Sequence, residues 1–333
     1  MLLDSEPVCA SAARHLRNAS TGLSLVAALA VALSTTACSV SLPADGAVMP
    51  TEQELHRQAD SIDRKAFDDG LVLQDESLDR YLQTVVARLL RAAGASPDAV
   101  RVRVIRNPVL GASALAHGVI HVHTGMLALL DNEAQLATLL GHEIEHVLGK
   151  HAVREMHLQA NPTMAASALN GEGEDEEASF DAIIRRFERQ LEREADEAGV
   201  RRMAAAGYDT AEAPRFFEML LADEVAAGIT RDDQRGNHPA AHERLTRCQS
   251  QARALAASAA ARDAVVGRHA YESAISSMLL ENARMDLRMG RIDEAGAALE
   301  RHLALRPDSR EGRRLAAQIA RIAGSQPSSF SVH

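Results

Sequence analysis

A chain of 333 residues is long enough for one large domain or two ordinary ones. Hydrophobic residues at 46% and charged residues at 25% exclude wholesale disorder, and a formal charge of −10 gives no support to nucleic-acid binding, which needs a basic stripe. Aromatics supply only 3% of the residues and tryptophan is absent, so the core has to be aliphatic.

The first forty residues read as targeting sequence. Arg14, His15 and Arg17 form a basic patch ahead of an apolar run from Thr21 to Leu33. The run is shorter than the about 20 residues that a membrane span needs and fits a secretory h-region. Ser34-Thr35-Thr36-Ala37-Cys38 resembles a bacterial lipoprotein cleavage site, with Thr35 where Leu is usual. Residues 1–37 are therefore expected to be a signal peptide and Cys38 to carry lipid. Ser39 after it suggests sorting to the outer membrane, on the periplasmic side of a Gram-negative cell. Ordinary signal cleavage or an uncleaved anchor are the alternatives. With Cys9 removed and Cys38 modified, Cys248 stands alone, so a buried inert thiol and no disulfide are expected.

Residues 38–56 look like a tether that runs into a polar helix over Thr51–Lys65, with Thr51 and Glu54 spaced as a capping box. Ser77 to Ala93 repeats Leu78, Leu82, Val85, Val86, Leu89 and Leu90 at helical period, with Ser77 as cap and Gly94 as stop. Val100–Ile105 alternates as a half-buried strand, Asn107–Gly118 is irregular, and Val119–His123 is a second strand. Asp131 or Asn132 then caps a long helix reaching about Leu158. Asn161–Ser179 reads as a solvated acidic loop whose position would also suit a lid, and Phe180–Ala206 is helical up to Gly207. A helix follows over Ala211–Val225, then a polar loop over Arg231–His238, and Asn237–Arg244 leads into a helix that runs to about Ala260.

The long helix carries His142-Glu143-Ile144-Glu145-His146. Histidines four apart project from one helix face, so both imidazoles can reach one metal ion, with Glu143 near a water bound to it. A catalytic zinc takes three protein ligands and leaves a fourth position for water. Among later carboxylates, Glu192 and Asp196 share a face one turn apart. Glu192 is the candidate third ligand, and Asp196 the group that accepts a hydrogen bond from a ligand histidine and so orients it. Glu194 falls on another face as a surface charge. His121 and His123 share a side of their strand but read as non-ligands, and His151, His157 and His242 read as surface residues.

Glu192-x-x-Ala195-Asp196 placed after His142-Glu-x-x-His146 resembles the zinc endopeptidases of the HtpX, Oma and CAAX-prenyl-protease group (peptidase family M48). Gly118-Val-Ile-His-Val-His-Thr-Gly-Met-Leu resembles that family's strand and turn before the active helix. Asn237-His238-Pro239 followed by Glu243-Arg244-Leu245 resembles its downstream segment. The resemblance implies a mainly α fold with a small β-sheet, gluzincin in type, one Zn2+ per chain, and Glu143 as general base on a water bound to that zinc. It implies His238 or Arg244 as donor to the oxyanion, with His238 alternatively an inhibitory fourth ligand. A substrate backbone is expected to add as a strand alongside Val119–His123, suiting unfolded or misassembled polypeptides.

Gly290–Pro307 resembles the second half of a tetratricopeptide repeat, with Gly290, Ala295, Leu299 and Pro307 in register and His302 out of pattern. The expected organisation is a protease domain over 57–262, tetratricopeptide-like helices over 263–325 that would meet envelope assembly machinery, and a tail over 326–333. Membrane attachment would be by lipid alone and nucleic acid plays no part. The competing function is a periplasmic chaperone or assembly factor with restrained proteolysis.

Overall fold

A computed structural model describes residues 51–160, 180–226, 241–257 and 263–325. Cys38, the 161–179 loop, His238 with Pro239, and the 326–333 tail lie outside the described residues. The described elements are α1 (Glu52–Asp68), α2 (Glu76–Ala92), β1 (Arg101–Ile105), β2 (Ala112–Leu115), β3 (Val119–His123), α3 (Thr124–Leu129), α4 (Glu133–Leu148), α5 (His151–Ala160), α6 (Phe180–Ala205), α7 (Glu212–Ala226), α8 (Ala241–Ala256), α9 (Arg268–Arg288), α10 (Ile292–Leu305) and α11 (Arg310–Ser325). The fold is mainly helical with one small sheet, as the sequence predicts.

Thr51 caps α1 through its hydroxyl, which accepts from the Glu54 amide at 3.2 Å. Asp75, not Ser77, caps α2: its carboxylate accepts from the amides of Ser77 and Leu78, both at 3.1 Å. A carboxylate at the N-terminus also meets the positive end of the helix dipole, an advantage the serine hydroxyl lacks. The periodic apolar face of α2 is fully buried, and it meets Leu136, Leu139 and Leu140 of α4 in one aliphatic core.

The sheet has three strands in the order β1-β3-β2. β1 pairs parallel with β3, and β2 pairs antiparallel with it. Ala112–Leu115 lies inside the stretch that reads as irregular, because Ala-Ser-Ala-Leu has none of the β-branched residues that signal a strand. Backbone pairing with β3 supplies what propensity does not. The order also corrects the expected route for a substrate strand. Val119–His123 is hydrogen-bonded on both sides, so nothing can add to it, and β2 is the edge strand on the α4 side. Gly111–His123 is a bonded pair, His123 donating to the Gly111 carbonyl at 2.9 Å. The alternation of an antiparallel ladder therefore turns the backbone groups of Ala112 and Ala114 outward.

The expected single helix to Leu158 is two helices. Gly149 closes α4 and Lys150 takes a left-handed φ of 50°, so α5 starts in a new direction. The start of α4 is pinned by Asn132, whose side chain accepts from the Gln135 amide at 3.0 Å. Glu212 of α7 in turn accepts from the side-chain amides of Asn132 and Gln135 at 2.8 and 2.9 Å.

The C-terminal helices pack on the same aliphatic core. Tyr271, Ile275, Met278 and Leu279 of α9 belong to it, and the Tyr271 hydroxyl donates to the Leu127 carbonyl. Leu280, Ala283, Leu299 and Leu315 join α9, α10 and α11. His302, out of pattern in the sequence, is buried with its ring nitrogens 2.6 Å from the Ser276 carbonyl and 2.9 Å from the Ser309 hydroxyl. Among the described residues no helix is long and apolar enough to cross a membrane.

Candidate metal centre

Two antiparallel helices, α4 and α6, bring the site together, and two glycines let them approach. A Cβ on Gly199 would stand 2.9 Å from the His142 backbone nitrogen, and one on Gly141 would stand 3.0 Å from the Gly199 carbonyl oxygen. Real Cβ atoms essentially never show the first contact and rarely the second, so backbone lies directly on backbone at this crossing. Arg202, one turn beyond Gly199 and buried, donates to the Gly141 carbonyl and to Glu145, both at 2.7 Å. That contact locks the crossing and gives Glu145 a partner.

The crossing sets His142 and His146 of α4 opposite Glu192 and Asp196 of α6. One ligand atom from each of His142, His146 and Glu192 lies within 4.8 Å of the others, and all three residues are buried. The two Nε2 atoms are 3.0 Å apart, and Glu192 oxygens lie 3.7 Å from His142 Nε2 and 3.5 Å from His146 Nε2. A tetrahedral zinc with bonds of about 2.0–2.2 Å has ligand-to-ligand edges of about 3.3 Å, so these spacings are of the size zinc needs, with Glu192 Oε2 on the His142 side and Oε1 on the His146 side. Burial alone would disfavour a charged His142, yet the hydrogen bond to Asp196 and the charge of Glu192 outweigh it and raise its pKa. His146 is held far below the usual histidine range, by burial first and then by His142.

Behind His142, Nδ1–H donates to Asp196 Oδ1 at 3.0 Å. Arg244 at the start of α8 donates to the same carboxylate from Nε (2.8 Å) and Nη2 (2.6 Å), while its Nη1 lies 3.7 Å from Glu192. Burial would raise the Asp196 pKa, but Arg244 and His142 more than reverse that and hold it low. Arg244 is correspondingly held more basic by Asp196 and Glu192 against its own burial. Glu143 is buried beside this set, and its charge is one of those that act on Arg244.

Behind His146 stands a residue that reads as a surface histidine in the sequence. His151 is only 2% exposed, and its Nδ1 lies 3.0 Å from His146 Nδ1. Burial pushes its pKa down to about 4. Counted along one unbroken helix, residues five apart point about 100° × 5, or 140° away from each other. The break at Gly149–Lys150 swings His151 back over His146. Gly149 itself makes room: a Cβ there would stand 2.6 Å from His151 Nε2. Glu194 is likewise engaged, accepting from Arg154 at 2.6 and 3.1 Å and from Gln190 at 3.0 Å. A lone glycine inside a helical pattern, as at Gly149 and Gly199, is the one sequence signal for these features.

The remaining histidines serve elsewhere. His121 lies 2.9 Å from Asp63 of α1, which also binds Arg103, so this cluster clamps α1 to the sheet. His123 Nδ1 is 3.2 Å from the Val109 carbonyl. His157 and His242 are exposed. Cys248 is buried and free, and burial pushes its thiol up to about 12, an inert state.

Residues 76–252 match the model of Peptidase family M48. Over 226 residues the chain is 26% identical to the Beta-barrel assembly-enhancing protease of Escherichia coli (strain K12), covering 62% of this chain and 45% of that protein. It is 29% identical over 154 residues to the Mitochondrial metalloendopeptidase OMA1 of Arabidopsis thaliana, covering 43% of this chain and 30% of that protein. With the Metalloendopeptidase OMA1, mitochondrial, of Danio rerio it shares 28% identity over 202 residues, covering 54% and 42%. The chain spans less than half the length of each of these three relatives.

Proposed function

The chain belongs to peptidase family M48, whose model it matches over more than half its length, and from that premise we propose that it is a zinc-dependent endopeptidase acting on unfolded or misassembled envelope proteins. The observation that carries this reading is the convergence of His142, His146 and Glu192 on one buried spot, with Glu143 buried on the same helix directly after His142. Bound zinc would polarise a peptide carbonyl and make hydroxide available near neutral pH. Glu143 takes the proton from the attacking water and passes it to the leaving amine. Arg244 spends two of its nitrogens on Asp196, so in this reading it holds Asp196, and thereby His142, in place. The donor to the oxyanion is then His238, from outside the described residues. The outward backbone groups of Ala112 and Ala114 on β2 receive the substrate as an added strand, a mode that asks little of substrate side chains.

Casein hydrolysis by the wild type and by Glu143→Gln tests the assignment. Glu143→Gln should retain zinc and lose cleavage; equal cleavage by both would remove Glu143 from the mechanism. His238→Ala separates its two roles: activity rises if His238 is an inhibitory ligand and falls if it is the donor.

The printed name of the E. coli relative, an assembly-enhancing protease, favours a second reading beside the first. In it, residues 263–325 engage envelope assembly partners while proteolysis over 57–262 is restrained. Binding of unfolded outer-membrane protein by both wild type and Glu143→Gln, with cleavage by neither, would favour this alternative. Export by residues 1–37 and anchoring through lipidated Cys38 complete the proposal. Cys38→Ala should release the protein from the membrane fraction and abolish fatty-acid labelling.

A further inference from the structure

We propose that His151 is a positioning residue for the metal centre, accepting a hydrogen bond from His146 Nδ1–H and thereby fixing the tautomer and tilt of that ligand. The inference rests on the zinc reading above. The donor and acceptor inventory leaves one arrangement. His146 Nε2 faces His142 Nε2 at 3.0 Å and Glu192 at 3.5 Å, so its lone pair belongs to the metal spot. The ring proton of His146 therefore sits on Nδ1. The atom in front of it is His151 Nδ1 at 3.0 Å, and that atom has to be the acceptor.

With Nδ1 accepting, the proton of His151 sits on Nε2. That nitrogen is buried, makes no hydrogen bond, and lies 3.6 Å from Glu194 Oε2. Glu194 is in turn held by Arg154 and Gln190. His151 Nδ1 is therefore the one hydrogen-bond partner of His146 Nδ1–H among the described residues, and the Glu194 carboxylate lies beyond hydrogen-bond distance of the far nitrogen of that ring. The fold provides for the contact between the two rings at two points already described: the left-handed Lys150 that turns α5, and the missing Cβ of Gly149 that lets the His151 ring lie against α4. A ring displaced to solvent would need neither.

The full chain, with Zn2+ alone as probe, tests this by chelator competition and by the visible spectrum of the Co2+-substituted protein. His151→Phe keeps the ring volume and removes the acceptor; it should weaken zinc binding about 10–100-fold, the usual effect of losing such a partner, and shift the Co2+ bands. His151→Asn restores an acceptor near the Nδ1 position and should recover most of the affinity. Zinc affinity of His151→Phe equal to wild type overturns the proposal, as does an Asn variant no better than Phe. Should Phe prevent folding, the wild type still decides. Histidine 15N shifts of the zinc-loaded protein should show an unprotonated Nδ1 on His151 and a protonated Nδ1 on His146, and the reverse assignment refutes the idea. Failure of the zinc reading itself looks different: the wild type would take up no zinc.

Discussion

His142 and His146 stand one turn apart on the same helix, yet what lies behind them differs in kind. Behind His142 is a buried carboxylate, Asp196, gripped at both oxygens by a buried guanidinium, Arg244. Behind His146 is a neutral imidazole, His151, and the charged pair that follows it, Glu194 with Arg154, sits at the edge of solvent with both side chains 36% exposed. The first support draws its strength from charge between buried groups and stakes stability on it. The second draws on shape, a helix break and a missing Cβ, and keeps its charges where water shares the load. One ligand is thus held by electrostatics and the other by backbone geometry.

The largest expected difference between the supports comes from removing each arginine. Arg244→Leu strips the buried Asp196 carboxylate of its guanidinium partner, leaving it the His142 hydrogen bond alone, and should cost about 3–5 kcal/mol in urea unfolding of the zinc-free protein. Arg154→Leu acts on a half-exposed pair and should cost within about 1 kcal/mol. Equal costs would erase the distinction. Stripping zinc releases both supports together: at free zinc 100-fold above Kd, binding contributes about 2.7 kcal/mol, so a chelator should lower Tm and added zinc should restore it. Gly199→Ala tests the shared foundation. The added methyl meets the His142 backbone nitrogen, and overpacking of about 1–3 kcal/mol should come with weaker zinc binding.

The smallest effect concerns Glu188, one turn before Glu192 on the His151 side. Burial first, and then Glu155 of α5 and Glu192, raise its pKa from 4.5 to about 7 against the opposing Arg185 and Arg189. A carboxyl raised in the folded state binds its proton more tightly there than in the unfolded chain. Its burden on stability is therefore absent below about pH 4.5, grows as pH rises and is complete above about pH 7. Glu188→Gln should match wild-type Tm near pH 4.5 and exceed it above pH 7. A constant offset across that range would mean that packing, not charge, sets the effect.

Much of the metal centre was legible because its parts are local in sequence. Two histidines four apart, and a glutamate and an aspartate four apart, each define a helix face without reference to anything else. The periodic leucines of α2, the alternating valines of β1 and the cap at Thr51 are legible for the same reason: each is a repeat or a spacing within a few residues. What resisted reading depends on the backbone leaving its expected path. β2 has no strand-forming side chains and exists because β3 offers it hydrogen bonds. His151 looks solvent-facing as long as the helix is drawn through Gly149.

The residues by themselves determined the chemistry: which side chains can hold zinc, which can move a proton, and that the molecule is mostly helix. The tertiary structure alone decided how those groups meet. Only the crossing of α4 and α6, possible because Gly141 and Gly199 have no Cβ, brings two separate helix faces within a ligand's reach of each other. Only the turn at Lys150 recruits His151, because a single left-handed residue redirects everything after it while leaving almost no mark in composition or period.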